Sequence, residues 1–203
     1  SLHFYLSTEK DPARQRADGG PPDFHILMTV QQGKPVIFAF RQKKKGEDKP
    51  TEIHSPATKI ELAWMGPLPG AELAVQLTPD RQGPGYTAEA RLPLAFFDDF
   101  KPEPGRLVAA DVAVNFSDSS GTKNQAKVWW SRGASQILDI PTELRFERNL
   151  WGQGIYRAAG QTPIVTDNGN FFVVPAPGPV AVDGDLADWE LSCAYGPHYV
   201  DPR

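Results

Sequence analysis

The sequence predicts an all-β fold, an antiparallel β-sandwich of the immunoglobulin or jelly-roll kind with little helix. Proline and glycine supply 20 and 18 of the 203 residues, and they separate a series of short apolar runs. Many short strands with turn residues between them are typical of a sandwich or a barrel. The run from Tyr86 to Leu92 alternates apolar and polar side chains, which indicates a strand with one buried and one exposed face.

Each apolar run between turn signals is predicted to form one strand. In chain order these runs are Leu2–Leu6, Phe24–Val30, Val36–Phe40, Lys59–Trp64, Glu72–Leu77, Tyr86–Leu92, Leu107–Phe116, Ala126–Trp130, Glu143–Phe146 and Phe171–Val174. One short helical turn is predicted over Leu94–Phe100, after Pro93. Residues 175–179, with the sequence PAPGP, are predicted to form a stiff linker, because proline-rich segments favour extended polyproline geometry.

Composition argues against several classes of protein. The net charge is −4 and the sequence has no long basic face, so nucleic acid is not expected as a partner, since phosphate binding relies on clustered Lys and Arg. No apolar run approaches the roughly 20 residues of a transmembrane helix, and we therefore predict no membrane insertion. Cys193 is the single cysteine, which leaves no internal disulfide and no zinc site of Cys/His spacing.

No motif of a common catalytic class occurs in the sequence. It contains no G-x-S-x-G, no H-E-x-x-H and no phosphate-binding loop, and its 4 histidines are not spaced as ligands of one metal. Asp98 and Asp99 are adjacent, so their carboxylates would diverge on regular structure. We therefore predict that the protein is not an enzyme.

Trp129 and Trp130 are the leading candidates for a binding site. They lie on the predicted returning strand of a hairpin, where successive side chains point to opposite faces, so one indole is expected in the core and the other outside. An outward indole can stack on a sugar ring while polar neighbours bond its hydroxyl groups. The polar neighbours in sequence are Asn115, Asn124, Gln125 and Arg132. The alternative interpretation places both tryptophans in the core or in an interface.

Trp64 is a second aromatic candidate for such a site. Its predicted strand alternates Ile60, Leu62 and Trp64, which favours a core position over a binding role. Trp151 and Trp189 are predicted to have structural roles.

Several motifs, in their combined order, resemble the family 9 carbohydrate-binding modules and their relatives, the DOMON-like β-sandwiches. The family's opening pattern, V-x-V-D-G-x-L-x-D-W, is matched by Val180–Trp189. Further family patterns are matched by Ser1–Ser7, Glu89–Pro93, Pro141–Phe146 and Leu150–Gly152. Because the opening pattern lies near the C-terminal end, the chain resembles a module that starts at the family's central strand.

The resemblance implies a non-catalytic carbohydrate-binding module of a larger bacterial protein, secreted or at the cell surface, with a polysaccharide or oligosaccharide as partner. Residues 1–174 would form most of a sandwich. Residues 180–203 would either open a next module or supply a strand that completes the sandwich in cis or in trans.

Two other functions stay open at the level of sequence. One is a structural or adhesive repeat module that assembles with neighbouring copies through strand exchange. The other is haem binding, which some DOMON-like relatives achieve through Met and His. Met28 and Met65 are the only methionines, and His25 lies close to Met28 in sequence.

Asp183, Asp185 and Asp188 form a D-G-D-L-A-D motif inside the opening pattern. Oxygen-rich loops with glycine suit Ca²⁺, and the resembled family often carries structural calcium, so these aspartates are the candidate ligands of a calcium ion. The motif lacks the terminal glutamate of an EF-hand loop. The alternative interpretation is a turn whose aspartates cap backbone N–H groups.

Overall fold

The computed structural model describes residues 1–10, 19–42, 50–56, 59–80, 83–98, 100–118, 120, 122–131, 133–136, 144–158, 170–173, 176 and 178–189. It confirms the predicted all-β sandwich. The strands are β1 (Leu2–Ser7), β2 (Asp23–Gln31), β3 (Lys34–Gln42), β4 (Thr51–His54), β5 (Lys59–Pro67), β6 (Glu72–Asp80), β7 (Gly83–Arg91), β8 (Leu107–Ser117), β9 (Asn124–Trp129), β10 (Gly133–Gln136), β11 (Gly152–Tyr156) and β12 (Asn170–Val173). Two short 3₁₀ helices span Leu94–Phe97 and Arg148–Leu150.

Most strands belong to one large sheet with the order β10-β9-β8-β1-β2-β3-β5-β4, in which neighbouring strands are antiparallel. β11 pairs antiparallel with β8 and parallel with β12. β6 and β7 form a separate two-stranded antiparallel sheet. β1 lies inside the large sheet, between β8 and β2, and its two faces therefore belong to two different layers of packing.

The first hydrophobic core lies between the large sheet and the β6–β7 sheet. Leu6 of β1 and Phe24 of β2 are buried there, and Leu73 of β6 and Ala90 of β7 pack against them from the opposite layer. Phe97, from the first 3₁₀ helix, fills the same core, with its ring 5.1 Å from that of Phe24. Burial of these apolar side chains is the main force that joins the two layers.

The second core lies on the other face of the large sheet. Tyr5 of β1, Phe40 of β3, Leu62 of β5 and Trp129 of β9 meet there. Leu144, Phe146 and Trp151 cover them, so a segment without strand structure closes this face. The large sheet is therefore covered on both sides, by the small sheet on one and by residues 144–151 on the other.

The structure corrects several predicted elements. Leu144–Phe146, the described part of the predicted strand Glu143–Phe146, is not a strand, although its apolar side chains are buried. β4, β10 and β11 were not predicted. β4 is polar and β11 is glycine-rich, and both are formed by pairing with a neighbour rather than by an apolar pattern of their own. The predicted helical turn is present over Leu94–Phe97.

Residues 178–189 lie against β7 of the same chain. The side-chain hydroxyl of Thr87 donates to the Gly184 carbonyl at 2.6 Å, and the Gly184 N–H donates to Glu89 at 2.6 Å. These residues form turns and no strand. The predicted opening strand is therefore replaced, over this range, by a loop that packs on the small sheet, while residues 190–203 lie outside the described residues.

Candidate functional site

The two adjacent tryptophans have different environments. Trp129 is 5% exposed, and its ring lies 4.9 Å from that of Tyr5 in the second core. Trp130 directly follows β9 and is half-buried, with its backbone N–H donating to the Val112 carbonyl at 2.8 Å. Trp129 cannot offer a ring face to a ligand, which corrects its assignment as a binding residue. Trp130 retains partial exposure.

Of the polar residues predicted around these tryptophans, those that the structure describes do not form a site with them. Asn115 is 6% exposed and faces inward, opposite Lys127 in the ladder. Asn124 and Gln125 are at the start of β9, and Trp130 follows its end. A strand rises about 3.3 Å per residue, so Gln125 and Trp130 are roughly 16 Å apart along it. Arg132 lies outside the described residues.

Trp64 is exposed because of a β-bulge in β5. Arg41 of β3 pairs with Trp64, and the next residue, Gln42, pairs with Leu62, so one extra residue is accommodated in β5. A bulge shifts the alternation of the strand by one. Leu62 is fully buried in the second core, whereas Trp64 points to the opposite face and is 41% exposed. The predicted core position of Trp64 is therefore wrong.

The exposed indole of Trp64 lies in a defined setting. The ring packs over Gly66, where an added Cβ atom would lie 3.5 Å from it. The Phe96 ring meets the indole edge-on, with a centroid distance of 6.4 Å. The indole therefore lies against the backbone at Gly66, and Phe96 supports it from one side.

A charged pair shares this part of the fold. The guanidinium Nη2 of Arg41, the ladder partner of Trp64, donates to the Asp98 carboxylate at 2.5 Å. Arg41 also lies over the Phe24 ring at 5.2 Å, which fixes its plane. Asp98 has φ 56° and ψ −135°, a backbone conformation that a non-glycine residue rarely adopts and that costs on the order of 1–3 kcal/mol. We name Trp64, Gly66, Phe96, Arg41 and Asp98 the Trp64 surface.

The three aspartates predicted to bind calcium accept hydrogen bonds from backbone N–H groups of their own turns. Asp183 accepts the Asp185 N–H at 2.9 Å, and Asp185 accepts the Ala187 N–H at 3.1 Å. Asp188 accepts the Ala181 N–H at 2.8 Å. Within the residues that the structure describes, no group of three or more His, Cys, Asp or Glu side chains could hold a metal ion. The alternative interpretation, a turn with capping aspartates, matches this geometry.

A buried polar cluster was not predicted from the sequence. His3 and His25 are fully buried on neighbouring strands of the large sheet, and Nδ1 of His3 lies 2.6 Å from Nε2 of His25. The His25 ring stacks on Tyr5 at 4.3 Å, and the Tyr5 hydroxyl accepts a hydrogen bond from Lys127 at 2.9 Å. Burial lowers the pKa of His3 to about 2, with the positive charge of Lys127 as the next cause, and it also lowers the pKa of His25.

Met28 and His25, two of the three residues named for haem binding, are on opposite faces of β2. Met28 is buried in the first core, and His25 is buried in the second. Side chains three residues apart on a strand point in opposite directions, so this pair cannot approach one haem iron from its two sides without unfolding β2.

Comparison with known proteins gives no relationship: no family model, no curated protein and no solved structure matches the chain. No helix of the described residues is long and apolar enough to cross a membrane.

Proposed function

We propose that this chain is a non-catalytic carbohydrate-binding module of an extracellular bacterial protein, and that it binds sugar at the Trp64 surface rather than at Trp129 and Trp130. The exposed indole of Trp64, held against Gly66 and Phe96 and next to the Arg41–Asp98 pair, is the observation that carries the proposal. An indole costs free energy when it remains in contact with water, so a position that keeps it exposed and oriented favours a role in recognition.

The chemistry of this surface suits a neutral sugar. The indole face can stack on the C–H groups of a pyranose ring. Arg41 offers N–H donors, and the carboxylate of Asp98 offers acceptors, so the pair can bond neighbouring hydroxyl groups of one ring. The two charges compensate each other, which favours an uncharged ligand over a uronate. The unusual backbone of Asp98 supports the same assignment, because strained residues concentrate at functional sites.

The test is a titration with soluble oligosaccharides of the xylose, glucose and mannose series, in which isothermal calorimetry measures binding. We expect saturable binding by the wild-type chain and a loss of about 2 kcal/mol, or about 30-fold in Kd, in Trp64→Ala. Met65→Ala is the matched control, because Met65 is the next residue of β5, is 45% exposed and points to the other face. Equal losses in the two variants, or no binding to any series, would refute the proposal.

An assembly role is the second candidate, and the small sheet is the observation that favours it. Within the described residues, β6 and β7 pair only with each other, so both outer edges carry unpaired backbone groups. Val112 and Phe116, which are 39% and 55% exposed, lie on the face of β8 that is shared with the first core. Unpaired strand edges are sites of strand addition, and exposed apolar surface favours association with another chain. Light scattering over a hundredfold concentration range would reveal self-association, and a constant monomer mass would exclude it.

A further inference from the structure

A groove of about 270 Å³ opens between the two layers of the sandwich, away from the residues of the Trp64 surface. The large sheet contributes its floor through β1 and β2, and the small sheet contributes the opposite wall. The apolar side chains that line it include Leu2, Met28, Val30, Val75, Leu77 and Tyr86. The groove is therefore a continuation of the first core, at the end where the layers separate and no side chain of the described residues fills the space.

Three large apolar side chains remain exposed at this one opening. Leu77 is 79% exposed, Val30 is 51% exposed and Tyr86 is 47% exposed. Leu77 and Tyr86 are direct ladder partners at the end of the β6–β7 hairpin, so they form one side of the opening together. A single exposed apolar residue is ordinary on a protein surface, whereas several that converge on a concave site indicate a ligand.

The polar groups that line the groove favour an uncharged ligand. Among the described residues, no Lys, Arg, His, Asp or Glu side chain lines it, and its polar side chains are those of Ser1, Thr29 and Tyr86. Tyr86 carries a phenol whose pKa is raised by burial, so its hydroxyl remains neutral near pH 7 and can donate or accept a hydrogen bond. Without a charged side chain in the lining, and with the Ser1 ammonium directed to the Asn115 carbonyl at 3.5 Å, a charged ligand would lose much of its hydration without compensation.

We propose that this groove binds a small, uncharged amphipathic molecule, whose body of one aromatic ring or one short alkyl chain lies between the layers and whose hydroxyl or carbonyl group bonds to Tyr86. The volume of the groove limits the size of the ligand. Its roughly 270 Å³ lies near the lower limit of small-molecule pockets, which is about 300 Å³, and exceeds the roughly 150 Å³ of cavities that accept benzene. This second site shares no residue with the Trp64 surface.

The probe is 4-propylphenol, which has one ring, one short chain and one hydroxyl group. Its binding is followed by isothermal calorimetry and by saturation-transfer NMR of the probe. Ala88→Phe should fill the groove, because Ala88 lines it from β7, and Leu77→Ser removes one side of the opening. Leu150→Ser is the matched control, since Leu150 is a 42% exposed leucine outside the groove.

We expect one molecule of 4-propylphenol per chain, and Kd at least about tenfold weaker in Leu77→Ser and in Ala88→Phe but unchanged in Leu150→Ser. Leu77 is so exposed that its replacement leaves the core intact, which keeps the test valid if Ala88→Phe fails to fold. The absence of saturable binding to the wild type would overturn the proposal. So would equal affinity in wild type and Leu77→Ser, or a dimer that dissociates in Leu77→Ser, because a second copy would then cover the groove.

Discussion

Mild acid should destabilise this protein through the buried imidazoles of His3 and His25. In the folded chain both stay neutral, because burial holds both pKa values below the ordinary value of 6.5, at about 2 for His3. In the unfolded chain both take up a proton as the pH falls through 6.5. The unfolded state then binds more protons, so stability falls as the pH falls. The loss begins near pH 6.5 and continues toward the folded pKa values.

The size of the effect follows from the unfolded-state pKa alone. Between pH 7.5 and pH 5.5, proton uptake by each imidazole lowers the free energy of the unfolded chain by about 1.4 kcal/mol. The two histidines together therefore reduce the free energy of unfolding by about 2.7 kcal/mol. Small domains are stabilised by only about 5–15 kcal/mol in total, and the change is therefore easily measured. Carboxylates contribute little in this interval, since their ordinary pKa values lie near 4.

Urea unfolding at pH 7.5, 6.5 and 5.5, followed by tryptophan fluorescence, measures this loss. The double variant His3→Gln/His25→Phe should be less stable at pH 7.5, but its stability should be almost independent of pH because both imidazoles are removed. It should still fold, because phenylalanine preserves the ring contacts of His25 with Tyr5 and Phe40. His54→Gln, at an exposed histidine, should keep the wild-type pH dependence. A wild-type stability that changes by less than about 0.5 kcal/mol over this range, or a pH dependence that persists in the double variant, would refute the reasoning.

Three further predictions concern the docking of residues 178–189 on β7. Glu89→Gln should release this segment, because the Glu89 carboxylate accepts hydrogen bonds from the N–H groups of Gly184, Asp183 and the Trp189 indole. The expected result is faster limited proteolysis after residue 176. Unchanged protection from the protease would contradict the prediction. The hydrogen bond from Trp189 is also the main cause of the lowered Glu89 pKa. Docking of the wild type should therefore be complete at a pH above the ordinary carboxyl pKa. It should weaken as the pH falls through the lowered pKa, because Glu89 is then protonated. Gly184→Ala should weaken docking as well, since Gly184 has φ +90° and its Cβ would lie 3.0 Å from Gln76; Gly178→Ala, where an added Cβ meets nothing within 4 Å, is the control.

The alternation of buried and exposed side chains within a single strand could be predicted in part from the sequence. The pattern of Tyr86–Leu92 correctly predicts its inner face at Ala90 and Leu92, which pack against the first core. The predicted exposed face is wrong at Glu89, which is 4% exposed because residues 178–189 cover it. The adjacent pair Trp129 and Trp130 correctly predicts one buried ring. In both cases the information is local, because the geometry of a strand alone sends neighbouring side chains to opposite faces.

The binding surface and the polar cluster depended on contacts between distant strands. Trp64 is exposed because a bulge against β3 breaks the alternation that its own strand shows in sequence, and its partners Arg41 and Asp98 come from other parts of the chain. Lys127 is 2% exposed although a lysine between Ala126 and Val128 indicates an outward position. The sequence by itself therefore determined the all-β class and most strands, since these follow from periodicity. Tertiary structure decided where this alternation fails and which residues meet, since register, bulges and layer coverage are set by pairing across the chain.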